Sequence, residues 1–316
     1  MSAPDGDAGA ARARARTVAP PYRLRAGAHA IELGARPLLM GIVNASPDSF
    51  SDDGSSATLA ARVRLANEHS AAGAAVIDVG GESATTGRPP VEAALEIERV
   101  APLIERVAPF AIVSVDTYKP AVARAAIAAG ASIVNDVSGL RDPELAAVCA
   151  ETGAALVVMH TSAAPRERLQ DPDLYDDVVE DVLAFLRERT ALALSAGVAR
   201  EQLLVDPGPD FTKTPAQTIR LLSQLERLHE LGLPLLLAIS RKDFVGALTG
   251  RPPRERAAGT LAALAHGLDA GAHVFRVHDV AAAADFIAVR AALSGEAPPS
   301  RDLALAEELR HERPGG

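Results

Sequence analysis

Eight short apolar runs punctuate the chain, each followed by a segment of helical periodicity: 37–44 (PLLMGIVN), 74–83 (AAVIDVGGES), 111–117 (AIVSVDT), 132–136 (SIVND), 155–160 (ALVVMH), 203–208 (LLVDPG), 234–242 (PLLLAISRK) and 273–279 (HVFRVHD). Their bodies do not alternate apolar with polar residues, as befits strands covered on both faces in a parallel sheet. Between them, stretches such as 59–73, 93–107 and 218–232 repeat apolar residues three and four apart, the pattern of helices that bury one face. Gly73, Gly130, Gly153, Gly197, Gly232 and Gly271 fall where a helix must stop, as left-handed C-terminal caps. Strand and crossover helix in eightfold succession predict an α/β fold, the (β/α)8 TIM barrel.

Residues 22–36 alternate and turn at Ala26-Gly27, which predicts a short hairpin closing the amino-terminal mouth. The barrel is expected to occupy 21–295 as a single domain, behind a disordered Ala-, Arg- and Pro-rich leader (1–20) and ahead of a polar, helical tail (296–316). The stretch 161–175 is the longest insertion at the other rim and is expected to be a flexible loop.

The 316 residues suit one barrel of about 250 residues with short extensions. A net charge of −9 removes the electrostatic footprint of nucleic-acid binding, while leaving room for a small anion held by a few local cations. Cys149 is the single cysteine, so no intrachain disulfide or thiolate cluster can form, and a cytoplasmic setting is expected. No apolar stretch approaches the roughly 18 to 20 residues of a membrane span, so no membrane partner is expected.

In a β/α barrel the carboxyl ends of the strands share one rim. Asn44, Asp78, Glu82, Asp116, Asn135, His160, Asp206, Lys242, Arg276 and His278 would converge there. Asp116, Asn135 and Asp206 each close an apolar run, where an unpartnered carboxylate is costly. Either loop backbone satisfies them, or they await a ring whose amino group beside a ring N–H matches the two oxygens of a carboxylate. Lys242, Arg276 and His278 bring cations to the last two strands, where such barrels commonly bind phosphate. His160 with His278 lacks a third ligand for zinc, whereas Mg²⁺ recruited through a substrate phosphate needs only an Asn or Asp. Residues 40–54 (MGIVNASPDSFSDDG) read as a lid whose Asn44 amide binds an oxyanion or a metal-linked phosphate, or else as a solvated loop.

In their order, MGIVNASPDSFSD, IDVGGES, SVDT, NDVSG, VVMH, DPG with Phe211 and Lys213, ISRK and FRVHDV resemble the dihydropteroate synthase family of pterin-binding barrels, from about Pro37 to Leu293. The resemblance implies condensation of 6-hydroxymethyl-7,8-dihydropterin diphosphate with p-aminobenzoate, giving 7,8-dihydropteroate and pyrophosphate in folate biosynthesis. It also implies Mg²⁺ bound through the diphosphate, and a homodimer. Carried onto this chain, Asp116, Asn135, Met159, Asp206 and Lys242 become the pterin set. Asn44, Arg276 and His278 become the diphosphate and Mg²⁺ set, with Asn44 on the metal and Lys242 shared with catalysis. Phe50, Phe211 and Ser240 frame the aminobenzoate, and Ser83 and Arg88 stand for the second loop.

Two departures stand out. Where the family continues Thr-Arg-Pro-Gly after Gly-Gly-Glu-Ser, this chain reads Ala84-Thr85-Thr86-Gly87-Arg88-Pro89, and the glycines flanking Phe211 are Asp210 and Thr212. They set a second reading, a diverged pterin-binding paralogue with little or no synthase activity, beside the first. A third, a pterin-linked methyltransferase, fits poorly with the phosphate-suited Arg276 and His278 and with the absence of a corrinoid-binding domain.

Overall fold

Alternate residues of the strands face two different environments, and this alternation organises the molecule. The computed structural model describes residues 17–46, 58–82 and 89–310. After a hairpin of β1 (Tyr22–Ala26) and β2 (His29–Leu33) come β3 (Leu38–Asn44), α1 (Leu59–Ala71), β4 (Ala74–Gly80), α2 (Ala93–Val107), β5 (Ile112–Asp116), α3 (Pro120–Ala128), β6 (Ile133–Asp136), α4 (Glu144–Thr152) and β7 (Ala155–Met159). There follow α5 (Val178–Ser195), β8 (Leu203–Asp206), α6 (Pro215–Leu222), β9 (Leu236–Ala238), α7 (Asp243–Thr249), α8 (Ala257–Asp269), β10 (Val274–Val277) and α9 (Val280–Leu293). The parallel sheet runs β8-β7-β6-β5-β4-β3-β10-β9. A parallel bridge from Val205 to Leu235 brings its two edges together, so the barrel is nearly closed.

Outward-facing Leu39, Val43, Ile77, Val79, Val113, Val115, Leu156, Val158, Val205, Leu237 and Phe275 pack beneath the helices. Met40, Val76, Ile133, Ala155, Val157, Leu204, Leu236, Ala238 and Val274 form a separate cluster inside the barrel. Because strand side chains alternate, the same parity continues upward from those inner residues. It delivers Asn44, Asp78, Asp116, Asn135, Met159, Asp206, Ser240, Arg276 and His278 to the interior near the carboxyl rim. The barrel is thus apolar at the base and polar at the top.

The hairpin seals the base, as predicted. Leu24, Ala26 and Leu33 complete the inner apolar cluster, and the two-residue turn Gly27-Ala28 follows from the pairing of Ala26 with His29. Arg25 anchors it by donating to Gln202 Oε1 at 2.6 Å. The six predicted cap glycines all take positive φ, which an L side chain resists. At other starts the sequence supplies side-chain caps: Asp177 accepts from the amides of Val179 and Glu180, and Thr214 forms a capping box with Gln217.

Four expectations are corrected. The segment 218–232 is not one helix: α6 stops at Leu222 and a 3₁₀ turn covers Leu225–Leu231. Leu225, Leu228 and Leu231 are all buried, and a spacing of three lines them up only at three residues per turn. The run 234–242 yields just three residues of strand before Arg241 turns to φ 60°. In the tail, the described residues hold a 3₁₀ turn, Glu307–Leu309, rather than a helix; Pro298-Pro299 removes the donors a helix needs. Of the leader, 1–16 lie outside the described residues, but Thr17 is held by the Asp269 carbonyl at 2.8 Å and Pro20 by His273 at 2.9 Å.

Candidate active site

Register sets the first row of the site. Asn44 pairs with Gly80, Gly80 with Asp116, and Asp116 with Asn135, four consecutive neighbours across β3 to β6. One layer lower, Asp78 lies beside Ser114. On the other side Met159 pairs with Asp206, and Arg276 reaches in from β10. Its Nε donates to Asp78 Oδ2 at 2.6 Å and its second nitrogen to Asp116 Oδ2 at 2.8 Å. The Asn135 amide also donates to Asp78 Oδ2, at 3.3 Å. Asp78 Oδ1 and Ser114 Oγ remain buried without a partner.

Burial governs the electrostatics. It pushes the Asp116 carboxyl up to about 7 against the Arg276 guanidinium, with Asp78 adding to the rise. It also raises Asp206, although Asp206 Oδ1 accepts from the Gly208 amide at 2.7 Å. Burial drives His278 down to about 3, and the cations of Arg241, Arg276 and Lys242 reinforce it, so the imidazole is neutral. Burial works against Arg276 as well, but Asp78 and Asp116 outweigh it and hold the guanidinium charged. His278 Nδ1 lies 2.9 Å from Ser240 Oγ, and the Lys242 ammonium lies 4.4 Å above the Phe211 ring.

These contacts bring together Asn44, Asp116, Asn135, Met159, Asp206, Phe211, Ser240, Lys242, Arg276 and His278 around the upper barrel. Phe50, Ser83 and Arg88 lie outside the described residues. His160 does not join the mouth as expected. Met159 faces inward, so its neighbour faces out: His160 Nε2 meets Asp181 Oδ1 of α5 at 2.9 Å and its Nδ1 meets Lys213 Nζ at 2.8 Å. Strand parity contained that signal. Lys213 is fully buried and also donates to the carbonyls of Gly208 and Phe211, both at 3.0 Å, which fixes the loop after β8.

Glu82 lies at the rim as expected, where it is the hub of a network of loop contacts. It accepts from Lys119 at 2.5 Å, Arg166 at 2.8 Å and the Val91 amide at 3.2 Å. Burial alone would raise its pKa, and Lys119 and Arg166 overcome that and lower it. The loop 161–175, expected to be flexible, is pinned at several points. Besides Arg166, the Tyr175 hydroxyl donates to the Thr212 carbonyl at 3.0 Å, and Gln217 donates to the carbonyls of Asp171 and Pro172, both at 3.0 Å. The added Asp210 carboxylate accepts from the Asp243 amide at 2.5 Å.

A barrel sealed at one end, with carboxylates and amides in a row at the other and cations beside them, is built to hold a flat polar ring with an anionic tail. The family described as pterin binding enzyme matches residues 40–278, and the chain belongs to it. Relatives that it matches include dihydropteroate synthases. That of Escherichia coli K12 is 42% identical over 248 residues, covering 78% of this chain and 88% of that one. That of Streptococcus pyogenes serotype M3 is 43% identical over 256 residues, covering 79% and 93%. Among solved structures, Xanthomonas albilineans dihydropteroate synthase with 4-aminobenzoic acid superposes with a TM-score of 0.80 at 42% identity, covering 87% of this chain and 99% of that one. The Burkholderia cenocepacia enzyme complexed with 7,8-dihydropteroate gives 0.78 at 37% identity, covering 87% and 97%.

Proposed function

We propose that this chain is a transferase that condenses 6-hydroxymethyl-7,8-dihydropterin diphosphate with p-aminobenzoate to give 7,8-dihydropteroate and pyrophosphate. The observation that carries the reading is the register row Asn44, Gly80, Asp116, Asn135 with Asp206 and Lys242 opposite, in a chain 42% identical to a synthase over most of both lengths. The pterin ring presents an amino group beside ring N–H groups to Asp206 and to Asp116, with the Asn135 amide between, Met159 on one face and Lys242 at the polar edge. As the ring takes the Asp116 oxygens, Arg276 turns its freed nitrogen toward the diphosphate, beside neutral His278.

In the reaction the C–O bond to the diphosphate breaks, the arylamine nitrogen forms the new C–N bond and its proton leaves. The cation developing on the methylene is conjugated with the pterin, so the protein's task is to hold the leaving group and keep the weak nucleophile close. Phe211 and Ser240 form the aminobenzoate side; Phe50, which the resemblance adds to it, and Ser83 and Arg88 of the second loop lie outside the described residues.

For Mg²⁺ the residue on offer is Asn44: a side chain added at Gly80 would lie 3.6 Å from its Oδ1, so that hard oxygen faces the space beside Gly80, whereas Asp116 Oδ2 is engaged by Arg276. Among the described residues no group of three or more His, Cys, Asp or Glu gathers to hold a metal, which suits an ion that arrives on its substrate. Asn44 would hold the Mg²⁺ that comes with the diphosphate, and the ion would there supply charge neutralisation for the leaving group.

Exposed Leu248 on α7 and Val289 and Leu293 on α9 favour a homodimer through these helices, read by sedimentation. We place the enzyme in the cytoplasm, where buried Cys149 stays reduced. The decisive assay is pyrophosphate release with both substrates. Release that requires aminobenzoate is expected; binding of the pterin diphosphate with no product at high enzyme concentration would overturn the synthase reading in favour of a noncatalytic paralogue.

A further inference from the structure

Asp210 and Thr212, the two residues flanking Phe211, both take left-handed backbone conformations, at φ 66° and 53°. Aspartate tolerates such a backbone, but a β-branched residue rarely adopts it, and it persists where surrounding bonds over-determine it. Here the side chains supply those bonds. Asp210 Oδ2 accepts from the amide of Asp243, the residue that follows Lys242, at 2.5 Å. Thr212 Oγ1 accepts from the Ser162 amide at 3.0 Å, on the loop after β7, while the Tyr175 hydroxyl of that same loop holds the Thr212 carbonyl. Between the two anchors the Phe211 ring faces the Lys242 ammonium at 4.4 Å. Three loops from successive strands are therefore joined by two residues at positions where the family resemblance places glycine.

We propose that Asp210 and Thr212 are positioning residues, a clasp that sets Phe211 and Lys242 against each other before substrate arrives. The proposal rests on the synthase reading for the ligand that benefits, p-aminobenzoate, whose platform is Phe211. Glycine at either position permits the same backbone but removes one side-chain bond between the loops, so part of the cost of ordering them falls on binding. A carboxylate turned to the loop after β9 is also withdrawn from the diphosphate.

The test compares Asp210→Gly, Asp210→Asn and Thr212→Gly with the natural enzyme. In both glycine variants the KM for p-aminobenzoate rises about five- to tenfold while kcat stays within about twofold. Asp210→Asn keeps an acceptor oxygen and tolerates the left-handed backbone, so it retains the natural KM. An unchanged KM in both glycine variants, or an Asp210→Asn enzyme as impaired as Asp210→Gly, overturns the clasp. Amide exchange in the substrate-free proteins separates this from the synthase reading. Exchange at Asp243 quickens in Asp210→Gly and at Ser162 in Thr212→Gly; no quickening overturns the clasp regardless of turnover. If the natural protein lacks turnover while the exchange differences are present, the synthase reading falls and the clasp stands.

Discussion

Arg276 Nε donates to Asp78 Oδ2 across the barrel interior at 2.6 Å, and Asp78 is fully buried. Removing one member of a buried ion pair leaves the other uncompensated, at about 3 to 5 kcal/mol. Asp78→Ala is therefore expected to lose about that much stability, read as a lower urea midpoint with an unchanged slope. A loss below about 1 kcal/mol would show that Asp116 alone satisfies the guanidinium.

Lys213 yields a pH dependence. Burial brings its pKa from 10.5 down to about 7, with the nearby Lys242 charge assisting and Asp206 opposing. Between those values the unfolded chain binds more protons than the folded one, so this group makes stability rise with pH from about 7 toward 10.5. Urea denaturation at neutral pH and near pH 9.5 should show a gain in the natural protein that is smaller in Lys213→Met. Equal gains in the two proteins would mean that Lys213 is not the responsible group.

Gly208 has φ 63°, and a side chain there would lie 2.2 Å from the His160 carbonyl oxygen. Its amide also holds Asp206 Oδ1 at 2.7 Å. Gly208→Ala must push the turn away from β7 and take the Asp206 contact with it. The expected cost is at least about 2 kcal/mol in thermal unfolding, with about tenfold weaker pterin binding. Pterin affinity equal to that of the natural protein would detach Asp206 from ring recognition.

Lys242 is half-buried and its ammonium rests on Phe211 rather than in the apolar core. Lys242→Ala should abolish pterin diphosphate binding by calorimetry while changing folding stability by no more than about 1 kcal/mol. Unchanged affinity would remove Lys242 from the site.

The strands were legible because burial on both faces leaves an unmistakable apolar run, and the ends of those runs carried Asn44, Asp116, Asn135, Asp206, Arg276 and His278. Asp78 was visible at the rim, yet nothing local to β4 reveals that it pairs with Arg276, 198 positions away. Partners that meet only through closure, such as Lys213 with His160 or Arg166 with Glu82, leave no spacing to read. His160 is the opposite case: counting parity from Met159 turns it outward. The 218–232 segment shows a subtler limit, since spacings of three and four fit an α-helix until a run of threes favours a tighter turn.

The hairpin stopper of Leu24, Ala26 and Leu33 turns the barrel into a blind shaft. Every ligand in such a shaft shares one opening: on the proposed reaction the ring descends first, the arylamine follows through the same mouth, and pyrophosphate must clear it before the joined product can back out.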